Sequence, residues 1–352
     1  MGKIYLTADN HLGMKGDNPI WLEDCFGYYN NVFIPFCKKH VQSDDILVFL
    51  GDVFDNRSNI GLETITLSIK LFEDLSNIFN DIRIIVGNHD IFKKHSNDIT
   101  SLNMLKHIPH VSIYYEPKVE KILDKKILFV PWIEDVEEQK KIISSHKVDY
   151  VFTHAEIGGC ITSSKGTILH TNNSIQSTDF KKAHVFAGHI HIRQDYKNIS
   201  YVGTPYHKDR GDINNKKGFT ILDVESGRTK FVENAYSPKF LRVNGYEIID
   251  KTVSELKEEW KNNYVDLVIK NTHVPLCRFD MLRELFKGIY KEFNLVSDNS
   301  EVIVENNVIQ LSESKSINEL IDDYLVNYDL DDEIKNNIKK KIEKYNETTS
   351  CK

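Results

Sequence analysis

Five short apolar runs in this chain end alike: a β-branched segment stops, and an aspartate, asparagine or histidine follows within a few residues. The plainest is Ile84-Ile85-Val86, which reads as the end of a buried strand and passes straight into Gly87, Asn88, His89 and Asp90. Gly, Asn and Asp are ordinary turn formers, so one such exit means little. Recurrence is what constrains the fold. "TADNHLG" puts Asp9 and His11 two apart, "VFLGDVFD" puts Asp52 behind a glycine, "YVFTHAE" carries His154, and "VFAGHIHIR" carries His189 and His191. Alpha/beta layer folds place their sites at strand ends, where a rigid sheet holds side chains that loops alone do not.

Up to about residue 235, β-branched runs such as "KIYLTAD", "DILVFLGD", "KILFVPW", "ISYVGTP" and "GFTILDV" read as strands. Helical patterns separate the early ones; in "LETITLSIKLFEDLSNIF" the period puts Leu62, Ile65, Ile69 and Phe72 on one face. Such alternation predicts an α/β layered fold. The later strands have little helix between them, which predicts a mixed sheet or one doubled into a sandwich. A boundary is expected at Ser237-Pro238. Residues 237–312 then read as a small α+β domain: a capping box at Thr252 and Glu255, a strand "VDLVIK", a helix "FDMLRELFKGIYKEF" and a strand "EVIVENNVIQL". Residues 313–352 read as two helices, the last with Ile334, Ile338 and Ile342 four apart. That thin stripe suits docking on a helix of a partner or of its own domain.

Charge narrows the function. The net charge is −7, whereas a protein gripping nucleic acid through phosphates alone is usually basic. Any nucleic-acid role therefore needs a local patch, a metal centre or a partner. Basic residues do cluster in "KKH", "HKDRGD" and "NNKKG", each expected to be a solvated loop. No apolar run approaches the roughly 20 residues that span a bilayer. The five scattered cysteines lack zinc or redox spacing, so free thiols in a reducing cytoplasm are expected.

Carboxylates, imidazoles and one amide suit divalent ions of intermediate softness, such as manganese, iron or zinc. Seven donors suffice for two sets of four sharing one carboxylate, which makes a two-metal site with ions about 3.5–4 Å apart. Such a pair acidifies water and neutralises charge building on a phosphoryl oxygen. Phosphate-ester hydrolysis needs both at once.

The series D-x-H, GD, GNHD, H and GHxH resembles the calcineurin-like metallophosphoesterase superfamily. Within it, "DNHLG", "GDVFD", "VGNHD", "VPW", "AGHIHIR" and "YVGTPY" are similar to the DNA double-strand-break nuclease branch, the nuclease subunits of SbcC–SbcD and MRN-type complexes. The "GDVFD" and "GTPY" wording most resembles the recombination endonuclease subunits of T-even phages. The motif resemblance covers about residues 3 to 234; beyond that only the layout matches.

The resemblance implies a four-layer α-β-β-α sandwich with a DNA-capping domain and a helical tail. It implies Asp9, His11 and His191 on one metal, Asn88, His154 and His189 on the other, and Asp52 between them; manganese is the expected ion. His89 is left to stabilise the pentacoordinate phosphorus or protonate the leaving oxygen, and Asp90 to orient His89 or cap its turn. Asn10 and Arg57 are candidate substrate contacts, with an Arg57–Asp55 surface pair as the alternative. Asp55 stands where cellular members carry a histidine, which leaves the exonuclease–endonuclease balance open.

The expected activity is a DNA nuclease of recombination and repair, trimming duplex ends 3′ to 5′ and cutting single strands. The expected partners are DNA and an SMC-like ABC ATPase docked through the tail. A second copy of the chain is expected to pair through helices near Trp21–Phe36 and Leu62–Phe79. A phosphatase or cyclic-nucleotide phosphodiesterase with the same metals is the competing enzyme. A scaffold that lost its chemistry is the third reading, against which all seven ligands and His89 stand.

Overall fold

A computed structural model describes residues 2–93, 96–163, 166–169, 174–248, 251–270, 284 and 287–298. The described residues belong to one compact unit ending at Asp298. The strand expected over 301–311 and the tail helices fall outside them.

The fold is a mixed α/β arrangement of several sheets. Lys3–Thr7, Ile46–Phe49, Ile82–Ile85 and Val111–Tyr114 run parallel, side by side, and Gly218–Asp223 and Thr229–Glu233 extend that sheet antiparallel beyond the first strand. A second six-stranded sheet has His184–Gly188 at its heart, parallel to Tyr150–His154 on one side and Ile199–Tyr201 on the other. Lys125–Val130 lies parallel beyond Tyr150–His154, and Lys118–Ile122 and Gln194–Tyr196 form the edges.

Alternation along each strand sorts the cores. Ile4 and Leu6 join Val48, Phe129, Phe152 and Phe186 in one cluster, so both sheets contribute to a shared apolar interior. Tyr114 and Phe129 stack within it at 4.3 Å. Tyr5, between Ile4 and Leu6, enters another cluster with Phe33, Phe72, Leu75 and Phe79 from helical segments and their ends. Val151, Val185 and Ala187 of the second sheet pack with Ile143 of helix Val136–Ser145.

Helix Leu62–Ser76 forms as expected, but its buried face is rotated. Leu62 is 84% exposed, while Thr64, Ser68, Leu71, Phe72 and Leu75 are buried. Small residues face inward because the Asp17 carboxylate reaches Thr64 Oγ1 at 2.5 Å and Gly61 N at 2.9 Å. A bulkier side chain at Thr64 would keep the helix from that loop.

A third sheet, Phe240–Asn244, Tyr264–Lys270 and Glu292–Asp298, is wholly parallel, with helix Val253–Trp260 in the first crossover. The expected capping box is there: Thr252 Oγ1 accepts from Glu255 N, and Glu255 Oε2 accepts from Thr252 N at 2.7 Å. The helix expected through Phe293 does not extend so far, because Glu292 already begins a strand and Phe293 packs beside Trp260. Trp21 stacks on Tyr264 at 5.3 Å and on Phe240 at 6.1 Å, and Arg210 donates to Asp266 and Glu292 at 2.7 and 2.9 Å. Trp21 is thus engaged within its own chain.

His207 sits at this joint, 9% exposed, with Nδ1 accepting from Phe240 N at 3.3 Å. Burial lowers its pKa from 6.5 to about 4. The folded protein therefore takes up this proton less readily than the unfolded chain, and stability present above pH 6.5 is lost as pH falls toward 4. The loss approaches about 3 kcal/mol. In urea unfolding between pH 7 and 4.5, His207→Gln is expected to flatten part of this dependence. Its amide oxygen can accept from Phe240 N, and it cannot titrate.

Candidate metal centre

Each candidate side chain leaves the end of a strand. Asp9 and His11 follow Lys3–Thr7, Asp52 follows Ile46–Phe49, and Asn88 and His89 follow Ile82–Ile85. His154 closes its own strand, and His189 and His191 follow His184–Gly188. The first two exits are zipped together by Leu50 N to Thr7 O at 2.8 Å, Asp9 N to Gly51 O at 3.1 Å and His11 N to Asp52 O at 3.0 Å.

The backbone here is strained. Asp9, His11, Asp52 and His189 all have left-handed φ, of 52°, 45°, 51° and 92°. That region costs a residue with a Cβ roughly 1–2 kcal/mol and persists only where the surroundings enforce it. Two glycines allow the close approach that does so. A Cβ on Gly188 would lie 2.2 Å from Leu50 O, and one on Gly87 would lie 2.2 Å from Asp52 N.

Three overlapping groups of donors result: Asp9, His11 and His191; His11, Asp52 and His89; and Asp52, His154 and His189, each with ligand-type atoms within 4.8 Å of one another. His11 Nε2 is 3.2 Å from His191 Nε2 and 3.7 Å from Asp52 Oδ2. On the other side, His154 Nε2 is 3.3 Å from Asp52 Oδ2, while Asn88 Oδ1 is 3.0 Å from His154 Nε2 and 2.9 Å from His189 Nδ1. Asp52 lies between the two sets.

The outward-facing atoms are held as ligands require. His11 Nδ1 donates to Asp55 Oδ1 at 2.9 Å, His154 Nδ1 to Leu50 O at 2.7 Å, and His189 Nε2 lies 3.0 Å from Glu156 Oε1. The indole of Trp132 stacks on His189 at 4.9 Å. Nothing in "THAEIGG" sets Glu156 apart from a surface residue, and Trp132, though part of the "VPW" that the family resemblance includes, has no role readable from it.

Electrostatics follow from crowding. Burial drives the Asp52 carboxyl up, but His154, His11 and His89 outweigh it and hold it well below the usual range. Burial alone would lower His154; the Asp52 charge wins and lifts it to about 9. His11 and His191 are lowered by burial, with the Lys208 charge adding to it. Asp9 Oδ2 is buried with no hydrogen-bond partner among the described residues. An orphaned carboxylate oxygen and two imidazole nitrogens facing each other at 3.2 Å form the kind of donor set that a cation satisfies. The residues fit divalent metal ions, which would displace the protons these groups otherwise share.

Other candidates fall differently. Asp90 does not meet the His89 ring. Its buried carboxylate accepts from the main-chain N–H of Gly87 at 2.9 Å, Phe54 at 3.1 Å and Val53 at 3.4 Å, while burial and the Asp52 charge push it up to about 7. It clamps two ligand loops together. His89 Nδ1 donates instead to the main-chain oxygen of Asp55 at 2.6 Å. Asn10 is fully buried, with Oδ1 accepting from Tyr29 and Thr7 and its main-chain oxygen accepting from Tyr206, so it braces the loop. Arg57 lines a cleft of about 120 Å³ with Asn88, Ile91, Trp132 and Glu134, and among the described residues no ion pair joins it to Asp55.

Two lysines expected in solvated loops are buried instead. Lys217 Nζ donates to Asp212 Oδ1 at 2.5 Å and His191 O at 2.8 Å. Lys208 Nζ lies 4.0 Å from Asp55 Oδ1.

A family model for calcineurin-like phosphoesterases matches residues 2–193, which spans the site from Asp9 to His191. The chain is similar to exonuclease subunit 1 of Enterobacteria phage T4, at 29% identity over 237 residues, covering 66% of this chain and 68% of that one. It is also similar to the SbcD component of the nuclease SbcCD of Staphylococcus epidermidis, at 25% identity over 343 residues, 85% of this chain and 87% of the relative. With the family match covering more than half its length, the chain belongs to the calcineurin-like phosphoesterases.

Proposed function

We propose that this chain is a metal-dependent DNA nuclease, a double-strand 3′–5′ exonuclease and single-strand endonuclease acting in recombination and repair. The observation that carries it is the gathering of two donor sets around Asp52 at strand ends of both large sheets. The relatives' names, an exonuclease subunit and a nuclease subunit, support the substrate class.

Asp9, His11 and His191 would hold one ion with Asp52, and Asn88, His154 and His189 would hold the other with Asp52. Two divalent cations of intermediate softness, manganese by the family resemblance, would supply a strong Lewis acid at phosphorus and acidify water at neutral pH. The chain does the rest. Asp55 steers His11 through its carboxylate and His89 through its main-chain oxygen. His89, with Nδ1 engaged, turns Nε2 to the leaving oxygen. Arg57, beside Asn88 in its cleft, receives a substrate phosphate oxygen.

The shared cluster of both sheets and the helices on their other sides support a four-layer α-β-β-α order for residues 1–236. Residues 237–312 cap the DNA, and 313–352 dock on an SMC-like ABC ATPase that supplies the electrostatic grip a chain of net charge −7 lacks. Two copies pair through the helices near Trp21–Phe36 and Leu62–Phe79.

The test compares labelled duplex DNA with bis-nitrophenyl phosphate in manganese, with and without the ATPase. Faster turnover of DNA is expected. If the small diester is preferred even with the ATPase present, the chain is a phosphatase or phosphodiesterase instead.

A further inference from the structure

Lys208 and Lys217 are both buried, nine residues apart, and differ in one respect. Lys217 is seated as a structural lysine should be, with Nζ donating to a carboxylate and a main-chain oxygen and its side chain 2% exposed. Lys208 is 8% exposed, yet its ammonium makes no hydrogen bond among the described residues. Its single ion pair there, to Asp55 Oδ1, spans 4.0 Å, too long for a hydrogen bond. The stem is buried while the ammonium keeps contact with water and stands open to a partner, an arrangement that calls for a reason.

Its neighbours give the reason. Asp55, which it approaches, also holds His11. The Lys208 charge acts on His11 and His191, and the charges of Asp55, Asp9 and Asp52 act on Lys208 in turn. At 4.0 Å from the Asp55 oxygen that holds His11 Nδ1, the ammonium stands beside the donor cluster, on its Asp55–His11 side. Its main-chain N–H is pinned by Asp212 Oδ2 at 2.8 Å, which fixes where the side chain starts. The side chain is 11% exposed, against 2% for Lys217, so it retains an opening.

We propose that Lys208 is a substrate contact whose ammonium donates to a non-bridging oxygen of the scissile phosphate, on the Asp55–His11 side of the centre. This rests on the phosphate-ester reading above. It would make "HKDRGD" part of the site and not a solvated loop. Asp55 acts as a placeholder partner that keeps the ammonium aimed inward until a phosphate arrives.

The test is calorimetric titration of the manganese-loaded full chain with inorganic phosphate, read beside metal content and thermal unfolding. Lys208→Met keeps the volume and removes the charge; phosphate affinity is expected to fall about 10- to 100-fold with metal content unchanged. Lys208→Gln, neutral but polar, should fall by as much and decides the matter if the Met variant does not fold. Lys208→Arg should recover most of the affinity. Unchanged phosphate affinity in the neutral variants, or a loss of thermal stability alone, overturns the proposal. The readout is binding, so a parent chain that binds phosphate through Lys208 but cleaves no DNA would refute the nuclease reading and leave this contact standing.

Discussion

Asp52→Asn is expected to lower DNA cleavage by about three orders of magnitude while the protein still folds. Among the described residues, Asp52 approaches both imidazole sets, with Oδ2 at 3.3 Å from His154 Nε2 and 3.7 Å from His11 Nε2, and it is 2% exposed. Asparagine keeps the shape, and its oxygen can still accept from His89 N, a bond of 2.8 Å in the parent. What it loses is the charge, at the point where two divalent cations must be held close together. A loss of about 4 kcal/mol of transition-state stabilisation corresponds to about 10³ in rate. Metal content should fall below two ions per chain, measured by mass spectrometry of the desalted protein.

The same substitution should abolish a pH effect in the metal-free protein. Asp52 raises His154 to about 9, so the folded state binds that proton more tightly than the unfolded chain. The resulting stability is complete below pH 6.5 and fades as pH climbs through 9. Chelated wild-type protein should lose this increment between those values, and Asp52→Asn should show no such loss. A variant with parental cleavage and two ions would remove Asp52 from its shared position.

Much of this centre was legible because strand exits are local. "GDVFD", "VGNHD" and "AGHIH" each combine a β-branched run, a glycine and a donor, and each glycine now has a steric reason beyond turning the chain. Gly87 and Gly188 are small because neighbouring strand ends pass within contact distance, which no spacing rule reveals. Left-handed φ at four donors is equally hard to read, since Asp and His adopt it more often than most residues but not at every turn.

The misreadings come from tertiary burial. "HKDRGD" and "NNKKG" are polar and read as solvated, yet Asp212 draws both lysines in, through the Lys208 main-chain N–H and the Lys217 ammonium. Asp90 looked like a partner of His89 because it is adjacent in sequence; three main-chain N–H groups from two loops claim its carboxylate instead. The strand Lys118–Ile122 escaped notice because it is an edge, "KVEKI", whose lysines blunt an exposed ladder. The apolar face of Leu62–Ser76 was misjudged because Thr64 and Ser68, not Leu62, lie against the body. Hydropathy counts apolar area; it does not see which side a neighbouring loop must approach.

His89→Ala is expected to separate chemistry from metal binding. Its main-chain N–H donates to Asp52, a contact alanine retains, whereas the imidazole holds Asp55 O through Nδ1 and stands edge-on to His11 at 4.8 Å. Both ions and DNA affinity should therefore survive the change, while cleavage falls by about 10²–10⁴ in kcat, the range for losing a positioned acid. The substrate can then tell what the ring does. If Nε2 protonates the leaving oxygen, a DNA strand with its alkoxide leaving group needs it and a nitrophenyl ester does not, so the ester should lose under tenfold. If Nε2 instead stabilises charge on the equatorial oxygens, both substrates should suffer alike. A variant that loses its metals together with its activity would make His89 a ligand, as its grouping with His11 and Asp52 geometrically permits, and would dissolve the division of labour argued here.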